Sequence, residues 1–203
     1  MTAMLTAGAR ALDEGSLDLL FRGAHTAYRF TDEPVSEGEL AEIYDLVRHA
    51  PTAVNSQPLR ITFVRSAQAK ARLLPHLFEG NRPKAASAPV VAILSADGDF
   101  HEHLPRLLPQ NPDAKARFAD EQARIKSASF NASIQAGYFI IAARAVGLDA
   151  GPMGGFDAPG VDAEFLSGTA QRSFLIVNLG HASPTGTFPR NPRLELHEAV
   201  TII

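Results

Sequence analysis

Three glycines and a proline within five residues, Gly151-Pro152-Met153-Gly154-Gly155, constrain this chain more than any other stretch. They follow a long Ala-rich apolar segment that closes at Gly147-Leu148, and they lead into Phe156-Asp157. Three glycines and a proline so close together cannot continue a helix, so a helix must break here. The composition predicts a tight turn with almost no side-chain cover. Bare backbone N–H groups in such a turn suit the close approach of a flat, electron-rich ring. Taken alone, the heptapeptide reads first as an ordinary Gly-rich loop.

The chain has 203 residues, with 45% hydrophobic and 20% charged, the balance of one globular domain spanning 1–203 with a sizeable core. A net charge of −3 argues against broad nucleic-acid binding. The absence of cysteine removes disulfides, thiolate nucleophiles and iron–sulfur clusters, so any redox chemistry must come from a bound cofactor. No apolar run is long enough to span a membrane. Asp13, Glu14 and Asp18 break the apolar character of Met1 to Leu20, which does not read as a signal peptide. A cytoplasmic protein is the expectation, with no membrane or nucleic-acid partner.

Periodicity predicts a first helix over 16–24 with Leu17, Leu20 and Phe21 on one face. Ser36-Glu37-Gly38-Glu39 is a capping box starting a second helix (Leu40, Ile43, Tyr44, Val47), which Pro51 ends. A strand over 60–64 and a helix from Ser66 follow. The continuous apolar run 90–94 reads as a strand buried on both faces. Residues 100–111 are proline-punctuated and mixed. Helix is predicted from about Ala114 to Val146, in one piece or two. Its second half (Ile134, Tyr138, Ile141, Ala142, Ala145) is apolar over a face wide enough for the middle of the molecule or a subunit interface. A short helix over 161–166, a strand over 174–180 and an apolar tail ending in the β-rich 200–203 complete an α+β chain with a mostly antiparallel sheet flanked by helices.

Two stretches together carry a family resemblance. Pro51-Thr52-Ala53-Val54-Asn55-Ser56-Gln57-Pro58 stands where the FMN-dependent nitroreductase family has Pro-Ser-x-x-Asn-x-Gln-Pro, and Pro152-Met153-Gly154-Gly155-Phe156-Asp157 where it has Pro-x-x-Gly-Phe-Asp. The resemblance runs from about Leu17 to Leu196. Within the family, His25-Thr26, Gly80-Asn81, Ala88-Pro89-Val90, the run 100–109, Asn131, Gln135, Gly151-Pro152-Met153 and Pro192-Arg193-Leu194 resemble the small branch typified by the malonic-semialdehyde reductase of the Rut pyrimidine-degradation pathway.

The resemblance implies FMN as cofactor, NADH or NADPH as hydride donor, and a homodimer in which the C-terminal segment reaches across to add a strand to its partner's sheet. The alternative is a tail folded back on its own subunit. The family's phosphate-binding Arg-Arg-Ser-x-Arg-x-Phe falls on 24–30, where His25, Thr26 and Arg29 stand but the first and third arginines are missing, leaving Arg22 or Arg29 to substitute. At the other end, Arg193-Leu194 matches the family's phosphate-binding Arg-Leu, with Arg190 close by. By the same resemblance Pro51, Thr52 and Asn55 line the ring and ribityl chain, while Asn81 and Lys84 approach the pyrimidine edge. Pro152 and Met153 lead into Gly154 and Gly155, whose amides face N5 and O4. A cation near N1 and O2 has a physical reason to be there, since negative charge develops at that edge.

Rival chemistry is poorly supported. His101-x-His103 does not share a helix face and lacks a third ligand, so no metal is expected. There is no Gly-x-Ser-x-Gly elbow, phosphate loop or dinucleotide fingerprint. The reading is an NAD(P)H oxidoreductase in which flavin N5 carries hydride in a ping-pong cycle and no side chain is assigned a catalytic role. By the branch resemblance the small-molecule substrate is malonic semialdehyde. The alternatives are a broad nitro-, quinone- or enal-reductase and, from another class, a non-catalytic flavin carrier or sensor.

Overall fold

The apolar run at 90–94 lies at the centre of a sheet because both of its faces are covered. In the computed structural model, which describes residues 11–203, the strands are β1 (Leu59–Val64), β2 (Val90–Asp97), β3 (Asp149–Met153) and β4 (Gln171–Gly180). Their order is β1-β2-β4-β3 and every pairing is antiparallel. Along β2, Val90, Ala92, Leu94 and Ala96 join one core, while Val91 and Ile93 join another. This is the period of two expected of a strand.

The helices are α1 (Glu14–Leu17), α2 (Glu37–Val47), α3 (Ala67–Leu73), α4 (Arg82–Ser87), α5 (Leu104–Leu107), α6 (Glu121–Ala145), α7 (Ala158–Phe165) and α8 (Leu196–Ala199). The first core is closed by α2 and α6 (Leu40, Ile43, Val47; Ala128, Ala132, Ala136, Phe139), the second by Leu73 of α3 and Val161 of α7. The capping box forms as expected: Glu39 N–H donates to Ser36 Oγ at 3.2 Å, and Ser36 N–H to Glu39 Oε2 at 2.8 Å. Alanines on the inner face of α6 let the helix lie close to the sheet. Its outer face leaves Phe130, Tyr138 and Ile141 exposed.

Several expectations are corrected. Residues 151–153 are not a turn but the end of β3, with Gly151 opposite Asn178 and Met153 opposite Ile176. Pro152 is admissible because β3 is an edge strand, where a missing N–H need not break a ladder. The first helix is only α1, continued by a π-type turn over Asp18–Arg22, and Phe21 is exposed. The helical stretch expected from about Ala114 to Val146 comes in two pieces, the first of them 3-10 rather than α (Pro112–Phe118) and the second α6, with Asp120 capping α6 through Ala123 N–H. Strands β2 and β4 extend beyond 94 and start before 174, because polar ends such as Ser95 and Gln171 still pair. Within the single chain α8 is one turn, and 200–203 belong to no helix or strand and are exposed. The signal-peptide reading concerns in part residues 1–10, which lie outside the described residues. No helix among the described residues is long and apolar enough to cross a membrane.

Candidate functional site

Where β3 ends, the chain at 155–157 pairs with 76–78: Phe78 N–H donates to Gly155 O at 3.1 Å and Asp157 N–H to His76 O at 2.8 Å. This fixes the start of the next segment. Asn81 Nδ2 donates to the same Gly155 carbonyl at 2.9 Å, and Lys84 Nζ, one turn on, donates to Asn81 Oδ1 at 3.0 Å. The Lys84 ammonium also lies 4.7 Å from the centre of the Tyr28 ring. Neither Gly154 N–H nor Gly155 N–H has an acceptor among the described residues. A Cβ on Gly154 would meet nothing within 4 Å. Thr26, Tyr28, Asn81, Lys84 and Gly151 to Gly154 line a pocket of about 160 Å³ that no carboxylate enters.

Beside it, 22–26 is fastened to the C-terminal segment and to α6. Arg190 Nη2 donates to Arg22 O at 2.6 Å and to Ala24 O at 2.7 Å, while His25 Nδ1 donates to Phe188 O at 3.0 Å. Arg144 Nη2 donates to His25 O at 3.1 Å, and its buried Nε has no partner among the described residues. Burial lowers the Arg144 pKa; Asp149 opposes this and Arg190 adds to it. Arg22 is ion-paired to Glu14 at 2.7 Å and Asp18 at 3.2 Å, so its charge is engaged within its own helix. Arg29 is exposed, and Arg193 is exposed and donates to Asn191 O and Pro192 O.

The 51–58 turn is built differently. Val54, Asn55 and Gln57 have φ of 51°, 53° and 43°, all left-handed and none glycine. Thr52 Oγ1 accepts from Gln57 N–H at 3.2 Å, and Asn55 Nδ2 donates to Leu107 O of α5 at 2.8 Å. Ala53 N–H donates to Asn131 Oδ1 at 2.7 Å, and Leu59 N–H to Gln135 Oε1 at 3.0 Å. Pro51, Thr52, Asn55 and Gln57 line a second cavity of about 950 Å³ that runs along β1 and includes Tyr44, Val47, Phe63, His103 and Arg106. Its basic lining residues are Arg48, His49, Arg60, His103 and Arg106, with no Asp or Glu. Arg48 and Arg60 are paired to Asp45 and Asp97, whereas Arg106 has no ion pair among the described residues.

The structure therefore gathers Thr26, Asn81, Lys84, Pro152, Met153 and Gly154 around one pocket, with Gly155 bonded to Asn81 at its rim. His25 and Arg190 flank it on the fastened segment. Pro51, Thr52 and Asn55 line the other cavity, and no residue lines both. Sequence reasoning missed Tyr28, Arg144 and Arg106, each a lone aromatic or cation without a local motif. It singled out Asn131 and Gln135 without a role; two amides one turn apart on an alanine-rich inner face were the available signal. His101 lies near Glu102, Nε2 to Oε1 3.5 Å, and among the described residues no group of three or more His, Asp or Glu has gathered. Free N–H groups, a lysine and an amide around carboxylate-free ground can hold a flat ring with electron-rich edges.

Residues 21–181 match the sequence profile of the Nitroreductase family. A protein of Leptothrix cholodnii, provisionally named NADH dehydrogenase/NAD(P)H nitroreductase, is 51% identical over 194 residues, which cover 95% of this chain and 98% of that one. A Streptomyces coelicolor protein of the same provisional name is 52% identical over 193 residues, again 95% and 98% of the two chains. Among solved structures, a provisionally named nitroreductase from Exiguobacterium sibiricum in complex with FMN superposes with a TM-score of 0.83 over 95% of this chain and 98% of that one. At 20% identity that is a likeness of fold.

Proposed function

We propose that this chain, which belongs to the nitroreductase family, reduces a small carboxylate-bearing aldehyde, malonic semialdehyde to 3-hydroxypropionate, in a ping-pong cycle. It is an NAD(P)H-dependent oxidoreductase that uses FMN. Bound FMN would supply the hydride-transfer chemistry that links the nicotinamide to the second substrate. The observation that carries the reading is the pair of acceptor-free N–H groups at Gly154 and Gly155 beside Lys84 and Asn81. Those amides would hold the ring edge, and Lys84 would supply positive charge where negative charge develops. His25, Arg190 and Arg193 provide donors and charge for the terminal phosphate.

A pocket of about 160 Å³ is smaller than the roughly 300–1,000 Å³ of ligand sites, so one chain supplies only part of the cofactor's surroundings. The remainder comes from the 51–55 turn of a second copy. Two apolar surfaces support that homodimer: the outer stripe of α6 (Phe130, Tyr138, Ile141) and the tail, where Leu196 is 73% and Ile202 89% exposed. The tail adds to the free edge of β1, beside the larger cavity. The small-anion preference is supported by that cavity's basic lining without carboxylates.

The test is to denature the purified protein and identify what it releases, then add NADH or NADPH anaerobically to the native form. FMN and rapid bleaching of its visible absorbance are expected. FAD, or no flavin after reconstitution, would sink the cofactor reading, and a flavin that stays oxidised would make the protein a carrier or sensor.

A further inference from the structure

The turn at 51–58 holds three left-handed residues in four positions, and one of them, Val54, is β-branched. Such conformations disfavour L-residues by about 1–3 kcal/mol each and persist only where surrounding structure over-determines them. Inside the turn Thr52 Oγ1 accepts from Gln57 N–H at 3.2 Å and Asn55 Oδ1 from Gln57 Nε2 at 2.8 Å, and further ties come from outside it. Both of its ends are tied to one element. Ala53 N–H donates to Asn131 Oδ1 at 2.7 Å and Leu59 N–H to Gln135 Oε1 at 3.0 Å. Asn131 and Gln135 stand one turn apart on α6 and are 2% and 3% exposed. Asn131 Nδ2 donates back to Ser127 O at 2.9 Å, which locks the side chain with its oxygen toward the turn. The remaining inner residues of this helix are mostly alanine and phenylalanine, so a buried amide here is costly unless bonded.

We infer that Asn131 and Gln135 are positioning residues that hold the 51–59 backbone in the strained geometry it presents to the flavin. This rests on the reading that the turn faces FMN. The same helix carries the exposed Phe130, Tyr138 and Ile141, so the element that ties the turn also carries the surface a second subunit would cover. Placement of the turn and packing of that helix are then one rigid unit.

Three variants test this: Asn131→Leu and Gln135→Met, which keep volume and remove the accepting oxygen, and Gln135→Glu, which keeps an oxygen where Leu59 N–H points. Each is titrated with FMN, and the bound flavin's visible spectrum and midpoint potential are recorded. The first two should bind FMN about tenfold more weakly and shift both spectrum and potential. Gln135→Glu should stay close to the parent. A fall in melting temperature with unchanged FMN affinity, spectrum and potential in the first two would assign the amides to folding alone and overturn the inference. Equal losses in Gln135→Met and Gln135→Glu would overturn it for Gln135, since the acceptor would not matter. Failure of the parent protein to take up FMN is a separate result, seen before any variant is made, that removes the functional reading and this inference together.

Discussion

The two segments that the sequence marked as special reach their shapes by opposite means. The 51–58 turn has no glycine yet holds Val54, Asn55 and Gln57 at positive φ. The 151–155 segment has three glycines, and none of them is at positive φ. Glycine there supplies space, not conformational freedom. A Cβ on Gly151 would lie 2.4 Å from Ala27 O, and one on Gly155 would lie 2.7 Å from Asn81 Nδ2. The turn is held by acceptors outside the strained residues, whereas the glycine segment is held by the absence of side chains. Adding atoms should therefore damage the second and removing acceptors the first.

The largest effect is expected where added volume has nowhere to go. Gly151 is buried in β3, and the crowding atom, Ala27 O, is backbone. Ala27 N–H also donates to Ala150 O at 3.1 Å, so the two segments cannot separate without losing that bond. Gly151→Val should destabilise by ~3 kcal/mol, lowering Tm by roughly 6–12 °C for a domain of this size. Thermal unfolding followed by circular dichroism measures this directly. An unchanged Tm would show that the close approach is not what glycine is for at this position.

On the other side of the comparison, a subtraction should cost less but still be measurable. Thr52 Oγ1 accepts the Gln57 N–H at 3.2 Å, bridging the left-handed stretch. Thr52→Val keeps the shape and leaves that donor without its partner. A loss of about 1 kcal/mol in urea-unfolding free energy is expected, together with a few-fold weaker FMN binding. If Thr52→Val matched the parent in both, the turn would owe its geometry to its other ties, among them those to α5 and α6.

The legible part of the molecule was whatever periodicity or a local motif records. The capping box at Ser36, the doubly buried strand at 90–94 and the two-sided apolarity of α6 could each be read from residue spacing. Strand β3 could not, because Gly-Pro composition signals a break and nothing local says that an edge strand tolerates it. The left-handed Val54 was equally hidden: β-branching argues against that conformation, and two of the ties on either side of it come from residues 131 and 135, far along the chain. The site residues themselves were named from motif order. Their division into two separate cavities depends on where the sheet places 51–57 relative to 81–84 and 151–155, which no single stretch encodes.

The smallest structural effect, and the sharpest functional one, is expected at Gly154. It is exposed, its φ is not in the left-handed region, and a Cβ there meets nothing within 4 Å. Gly154→Ala should therefore stay within about 0.5 kcal/mol of the parent, unlike its neighbours in the same segment. FMN should remain bound even in Gly154→Glu, because the proposed donor is the main-chain N–H and a Cβ there meets open space. What Glu adds is a negative charge beside a pocket whose lining contains Lys84 and no carboxylate. Two like charges about 5 Å apart at an effective dielectric of about 20 repel by about 3 kcal/mol, and partial exposure reduces this. The ratio of kcat/KM for malonic semialdehyde to that for a neutral quinone should fall by roughly tenfold, since the quinone feels little of the added charge. An unchanged ratio would mean that position 154 does not face the substrate. The open space at Gly154 would then serve cofactor approach alone, and the proposed small-anion preference would rest on the basic cavity lined by His103 and Arg106 alone.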